Sequence, residues 1–393
     1  MYYLYFSFLI ILVLFIFAKI YIKVKFGFWA YQPVFHYYNL FYWIYPRGMI
    51  NKELPETNKF CNFYNIQSNG YEERDENTLK EIIEFLQTHY YNNKLGKYSP
   101  TLEAVSSYFI GNNNKTFIST YYANRIASKD LLGVMTSRPL NMTLKNNTVK
   151  IYYVDYLCVD YEHRKEGIAP EIIQTHEYTQ CHKTKKAQIS LFKREGELTG
   201  IVPLTKYNTY QFSISQISKQ VLPHASMKLL EINKLNIRLL LTFIHSQNNK
   251  FDCLIIPDIT NLLNLVNNDT YKIYAIIEND TIIACYFFKD SHMYYQDENT
   301  EDTFTIKAID CFASITNCHH NEIFIKGFSL ALHKYSKKTK AKLITIENIS
   351  DNNIIVNNMF LLNIIPKIVS PTAYFLYNYA KRPLLPEKTF LLT

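Results

Sequence analysis

Between Val154 and Pro170 an apolar run, Val154-Asp-Tyr-Leu-Cys-Val-Asp160, passes directly into Tyr161-Glu-His-Arg-Lys-Glu-Gly-Ile-Ala-Pro170. The first part reads as a strand. The second carries R-x-x-G-x-A, from Arg164 to Ala169, and opens a helical stretch. Successive backbone N–H groups at a helix start bind anions, and Gly167 and Ala169 keep side-chain bulk away from them. Arg164 and Lys165 add positive charge at the same place, so the junction suits a pyrophosphate. A bulge in the preceding strand would free N–H groups that could polarise a thioester carbonyl.

The surrounding pattern supplies a sheet for this junction. Leu79, Ile82, Ile83 and Leu86 recur at helical spacing from about Asn77, and strand-like runs follow at Thr116–Tyr122, Asp130–Arg138 and Val149–Val159. Glu162–His176 reads as a helix entered through a loop, and Ala187–Phe192 as the next strand. The second half repeats the order. Lys228–Ser246 reads as helical, Tyr271–Glu278 and Ile282–Lys289 as strands joined by the Glu278-Asn-Asp-Thr turn, with Met293–Tyr295 and Thr303–Phe312 extending the sheet. Glu322–Lys337 reads as an amphipathic helix, Lys342–Ile346 as a strand and Tyr374–Tyr379 as a late aromatic strand. This is an α+β order with mixed sheets, and two similar modules in tandem fit it better than one large sheet. The expected boundaries are 1–25, 26–76, 77–222 and 223–393.

Met1 to Ala18 contains no charged residue, and the apolar run continues past Lys19 to Lys23. Tyr2 to Ile22 is long enough to cross a bilayer core of about 30 Å. Lys19, Lys23 and Lys25 follow the run, which favours a single span with the body cytosolic. Phe26 to Phe63, broken by three prolines, reads as an extended aromatic arm. Among 393 residues, 48% are hydrophobic, which excludes a disordered chain. The net charge of +8 is spread along the sequence, so it suits a phosphate-bearing ligand or an anionic membrane and does not demand nucleic acid. Seven scattered cysteines without C-x-x-C describe no disulfide framework, and Cys311…Cys318-His319-His320 lacks the paired spacing of a zinc site, so no metal is expected.

The R-x-x-G-x-A junction resembles the coenzyme A loop of GNAT acyltransferases. More narrowly, Asp155-Tyr-Leu-Cys-Val-Asp…His163-Arg…Ile168-Ala-Pro is similar to the N-F-L-C-V-H-x-x-L-R-S-K-R-V-A-P signature of N-myristoyltransferases, which are tandem GNAT folds. Phe28-Trp29-Ala-Tyr-Gln-Pro-Val34 resembles that family's F-W-x-T-Q-P-V, Tyr98-Ser-Pro100 its D-Y-S-P, and Tyr374-Phe-Leu-Tyr-Asn-Tyr379 its Y-Y-L-Y-N-W. The resemblance implies two GNAT-like domains related by a pseudo-two-fold. It implies transfer of a fatty acyl group from myristoyl-CoA, a co-substrate and not a resident cofactor, to the N-terminal glycine of a protein or peptide. It further implies that Gly27, Phe28 and Trp29 help hold the acyl-CoA, and that the backbone amides of Tyr156 and Leu157 form the oxyanion hole. Cys158 and Val159 continue that strand. Arg164, Lys165, Gly167, Ile168 and Ala169 form the phosphate loop, and the α-carboxylate of Thr393, on an inward-threading apolar tail, acts as the base. A monomer is expected, with no nucleic acid partner.

Departures from the family pattern fall mainly on the peptide side. Ile365-Pro-Lys-Ile-Val-Ser-Pro371 replaces a G-D-G motif, and Tyr90-Tyr-Asn-Asn-Lys94 replaces an acidic loop. Little preference for lysine in the peptide is therefore expected, with Lys94 and Lys97 favouring neutral or acidic sequences. Two further readings remain open: a GNAT enzyme with another acyl-CoA or amine, and a membrane-tethered binding protein without turnover. Glu347 and Asp351 read as a solvated loop, and Lys334–Lys342 as the solvated end of a helix.

Overall fold

The structure, a computed structural model, describes residues 2–25, 27–92, 96–123, 130–145, 147–196, 200–296 and 304–393. Phe26 and Lys94, named above, lie outside them. In chain order the elements begin with α1 (Tyr2–Lys25), α2 (Leu40–Ile44), β1 (Gly48–Met49), β2 (Ile66–Gly70), α3 (Glu76–His89), β3 (Gly96–Tyr98) and α4 (Leu102–Ser107). The first module's sheet follows: β4 (Phe117–Ala123), β5 (Asp130–Leu144), β6 (Asn147–Val159), α5 (Ile168–Thr184), β7 (Ser190–Glu195) and β8 (Thr205–Ser213). Next come β9 (Met227–Glu231), α6 (Ile237–Ser246), β10 (Cys253–Ile256), α7 (Ile259–Asn267), β11 (Tyr271–Glu278), β12 (Thr281–Gln296), β13 (Phe304–Thr316), α8 (Asn321–Thr339) and β14 (Leu343–Glu347). The chain closes with α9 (Asn352–Leu361), β15 (Ile368–Tyr377), β16 (Tyr379–Ala380) and β17 (Thr389–Leu391).

α1 is apolar on every face, and within it only Ile22 is buried, so no core holds it. At 24 residues it spans about 36 Å. The arm after it contains only a helical turn at Trp29–Tyr31, the short α2 and β1. α3 starts where Asp75 accepts from the Thr78 N–H, and its Ile82, Ile83, Phe85 and Leu86 face inward. The β11–β12 hairpin turns at Asn279 and Asp280, both with positive φ, as a two-residue loop matched to strand twist requires.

The repeated order is present, but inside one continuous sheet. β4, β5 and β6 are antiparallel neighbours, α5 crosses over, and β7 pairs parallel to β6. β11, β12, β13, α8 and β14 reproduce this arrangement. β8 leaves the first module to pair with β14, while β15 of the second returns to pair with β7. β8 and β15 also pair with each other. This exchange joins the two modules edge to edge, so the expectation of modules instead of one large sheet needs correction: the sheet is shared. The helical reading of 228–246 is also corrected. Met227–Glu231 is an edge strand on β11, and the helix begins only at Ile237, after an Asn233–Asn236 turn closed by side-chain amide bonds.

Candidate active site

β6 and β7 pair through Tyr152–Ser190, Tyr153–Leu191 and Val154–Phe192, and then part. At the same level β6 carries its extra residue. Val154 faces Ser137 and Leu157 faces Met135, so three steps on β6 oppose two on β5 and the bulge falls at Asp155-Tyr156. A cavity of about 280 Å³ occupies the split. Val154, Asp155 and Leu157 line one side and Phe192, Lys193 and Arg194 the other, while Trp29, Met135, Ile173, Glu177 and Tyr377 close the remaining walls. The Tyr156 amide donates to Thr136 Oγ1 at 3.2 Å.

The aromatic arm is tied down over this cavity. Trp29 stacks on Phe192 at 5.4 Å, and Phe192 on Phe375 at 5.3 Å. Phe28 packs edge-on against Trp29 and Phe60. Tyr377 Oη donates to Gln32 Oε1 at 2.8 Å, and Gln32 Nε2 donates to Gln174 on α5. Gly27 is exposed where α1 ends and lines no wall.

Beyond the bulge, Cys158 is buried against the α3 side, and Val159 packs with Ile168 and Ile172 on the opposite face. The loop then turns sharply. Lys165 has φ +73° and Gly167 φ +92°, the left-handed conformation that caps the start of α5 and that glycine adopts without strain. A Cβ added at Gly167 would meet no atom within 4 Å. Glycine is thus required here by backbone conformation, with the space above it open to a ligand. Arg164 Nη2 donates to the His89 carbonyl at 2.6 Å, which ties the loop to the end of α3. Ala169 lies in the first turn of α5 with no side-chain cap over it.

The C-terminal tail threads inward as β17, parallel to β10, and Phe390, Leu391, Leu392 and Thr393 are all buried. Lys289 Nζ donates to the Thr393 main-chain oxygen at 3.2 Å, and Tyr374 Oη and Thr393 Oγ1 share a bond of 2.7 Å. Thr393 does not line the cavity, but Lys289 connects the regions: burial raises the pKa of Asp155, against the pull of Arg138 and Lys289.

Sequence reasoning missed a row of charges beneath the split, running from the buried Arg138 to the exposed Glu195. Asp155 pairs with Arg138 Nε at 2.9 Å. Lys193 Nζ reaches Glu195 at 2.7 Å and Glu347 at 3.1 Å. Burial opposes the charge on Lys193, but Glu195 and Glu347 hold its pKa well above the ordinary value. Burial pushes Asp310 up to about 7, against the pull of Lys289 and Lys193. Glu347 and Asp351, expected in a solvated loop, are both buried. Glu347 accepts from Tyr207, and Asp351 from Lys250 and the Thr316 amide. The signal was available: an acid or lysine inside an apolar strand run must find a partner. Lys97 lies on β3, opposite Tyr294. Among the described residues no group of three His, Cys, Asp or Glu side chains is placed to hold a metal.

Residues 53–194 match the family described as myristoyl-CoA:protein N-myristoyltransferase, N-terminal domain. The match contains β4 to β6, the bulge, the loop from Arg164 to Ala169, α5 and nearly all of β7. About nine-tenths of the chain is similar in fold to solved structures of Saccharomyces cerevisiae N-myristoyltransferase. One with bound myristoyl-CoA has TM-score 0.70 at 13% identity, covering 91% of this chain and 94% of that one. A second has TM-score 0.72 at 12% identity, covering 92% and 90%. A third, with myristoyl-CoA and inhibitors, has TM-score 0.68 at 12% identity. No curated protein matches the sequence. This likeness in fold extends well beyond residues 53–194.

Proposed function

We propose that this chain is an acyltransferase of the N-myristoyltransferase type, which moves a fatty acyl group from myristoyl-CoA to the N-terminal glycine amine of a protein or peptide. The observation that carries this reading is the bulge at Asp155-Tyr156, set where β6 and β7 part around a cavity and followed by an open, left-handed Gly167 loop. In this reading the pyrophosphate rests on Arg164 to Ala169, Trp29 and Phe28 cover the acyl-CoA, and the Tyr156 and Leu157 amides face the thioester carbonyl. The Tyr156 amide then exchanges Thr136 Oγ1 for that oxygen. The amine nitrogen forms a bond to the carbonyl carbon, the C–S bond breaks, and the proton released from nitrogen passes to the base and finally to the thiol of coenzyme A. The base is the α-carboxylate of Thr393.

The repeated β–β–β–α–β order supports two tandem GNAT-type modules, at 77–222 and 223–393, after an anchor at 1–25 and an arm at 26–76. The length and apolar surface of α1 favour a membrane span, with Lys19, Lys23 and Lys25 on the cytosolic side together with the body. Protease treatment of sealed vesicles tests this, because a protected body would reverse the orientation. A second reading, acyl-CoA binding without transfer, draws on the Tyr156 amide being already bonded. One assay separates the two: the full chain in detergent with a panel of acyl-CoAs and Gly-initiated peptides, read by mass spectrometry. Acylated glycine peptides are expected. Acyl-CoA binding without any product would favour the second reading, and no binding at all would remove both.

A further inference from the structure

Lys193 occupies the first position on β7 after its pairing with β6 ends, directly across the split from the bulge at Asp155-Tyr156. It lines the cavity together with Asp155 and Leu157. An ammonium has three donors and no acceptor. Glu195 and Glu347 take two of the three, at 2.7 and 3.1 Å. The side chain keeps 21% of its surface accessible on the cavity wall, and one of its three N–H donors is not taken by these two carboxylates. The two carboxylates fix the ammonium from both flanks, Glu347 is braced by Tyr207, and Tyr374 lies beside Lys193 on β15. The charge is therefore both permanent and oriented.

The wall opposite is short of donors. The Tyr156 N–H, one of two amides the bulge offers, is bonded to Thr136 Oγ1. Asp155 is an acceptor and is already held by Arg138. A carbonyl oxygen entering the split would meet the Leu157 side of the bulge on one flank and a fixed positive charge on the other. We propose that Lys193 is a catalytic residue of this chain, which donates its third N–H to the acyl carbonyl oxygen and stabilises the negative charge that builds there. As the amine nitrogen forms the C–N bond, the carbonyl π pair moves onto that oxygen. It returns when the C–S bond breaks and the thiolate leaves, to be protonated by the hydrogen removed from nitrogen. Preorganised donors act most strongly where water is excluded and charge develops only in the transition state.

This inference rests on the acyl-transfer reading, and the test keeps the two apart. Full-length Lys193→Met, Lys193→Arg and the double variant Lys193→Met/Glu347→Gln are compared with the wild type, using myristoyl-CoA and the best Gly-initiated peptide from the panel. The double variant removes a buried carboxylate left without its partner, so a fold lost in the single variant can survive in the double. Lys193→Met and the double variant should lose about 10²-fold in kcat, with myristoyl-CoA affinity by calorimetry changed less than threefold. Lys193→Arg should recover at least a tenth of the wild-type kcat. A folded double variant with kcat within threefold of wild type overturns the proposal and leaves acyl transfer intact. Loss confined to the KM for myristoyl-CoA also overturns it. A wild-type chain that acylates no peptide removes the reading beneath it.

Discussion

Tyr98 and Tyr156 share a hydrogen bond of 2.8 Å between their hydroxyls, across 58 positions of sequence. Tyr98 sits on β3, which belongs to the first half of the chain but pairs with β12 of the second. Tyr156 is the bulged residue of β6. The bond therefore clamps the bulge to the far module, and Tyr90 packs against both rings. Removing one hydroxyl leaves the other buried without its partner, whereas removing both leaves two packed rings. Tyr98→Phe and Tyr156→Phe should each cost about 1–2 kcal/mol, and the double variant less than their sum. Denaturant unfolding of the four proteins measures the coupling. Strict additivity would show that the two hydroxyls do not depend on each other.

The phosphate loop makes a second prediction. Gly167 has φ +92° and open space where a Cβ would project, so an alanine there meets strain and no clash. Gly167→Ala should cost about 1–2 kcal/mol of stability, and Gly167→Glu should in addition abolish coenzyme A binding by repulsion. Arg164 gives one Nη2 N–H to the His89 carbonyl, and in the proposed function its remaining guanidinium donors serve the phosphates. Arg164→Ala should weaken coenzyme A by about 1.5–3 kcal/mol, as for a charge-assisted hydrogen bond. Calorimetry with unchanged affinity in both Arg164→Ala and Gly167→Glu would move the phosphate site elsewhere.

How much of this was legible beforehand depended on whether the information is local. The Asn279-Asp280 turn, the face of α3 and the strand-to-helix junction at Asp160–Ile168 are written in neighbouring residues, and each forms close to where periodicity and turn chemistry place it. Lys228–Glu231 reads as the start of a helix, and its pairing with β11, more than forty positions away, makes Met227–Glu231 a strand instead. Lys193 and Glu347 illustrate the same limit for the site. Glu347 reads as part of a solvated loop and Lys193 lies just past the strand Ala187–Phe192, and only the exchange of β8 and β15 between the modules brings them together. The bulge itself was legible as a possibility, and its place at Asp155-Tyr156 required the register with β5.

Glu177 supplies a prediction in pH. It is buried on the cavity wall, accepts only the Cys181 thiol, and burial pushes its pKa up to about 7. The unfolded chain releases this proton near pH 4.5 and the folded chain near 7, so between these values the folded state binds more protons. Stability must therefore fall as pH rises through that window and level off above it. Glu177→Gln keeps the shape and the acceptor without the ionisation. Its melting temperature should match wild type near pH 4.5 and exceed it increasingly up to pH 7, by at most roughly 3 kcal/mol in stability. A constant difference across the range would mean that Glu177 ionises in the fold as it does in water.

The tail gives the last prediction. The carboxylate reading makes the Thr393 side chain irrelevant, but the structure bonds Thr393 Oγ1 to Tyr374 Oη at 2.7 Å in a buried place, with Lys289 on the main-chain oxygen. The hydroxyl is thus one of two contacts that fix the last residue. Thr393→Val removes it at constant shape and should lower stability by about 1–2 kcal/mol and turnover a few-fold, while Thr393→Ser should restore both. Thr393→Leu, larger than the space beside Tyr374, should cost more than valine does. Extending the chain past Thr393 with two glycines tests the base more directly: the Tyr374 bond can persist, but the carboxylate moves away. Turnover should then fall by roughly the 10²–10⁴ of a lost general base, with acyl-CoA affinity unchanged because the phosphate loop lies in the other module. An extended, folded enzyme with full turnover would keep the tail as packing for β10 and transfer the search for a base to the carboxylates Asp310 and Glu347, whose charges act on Lys289.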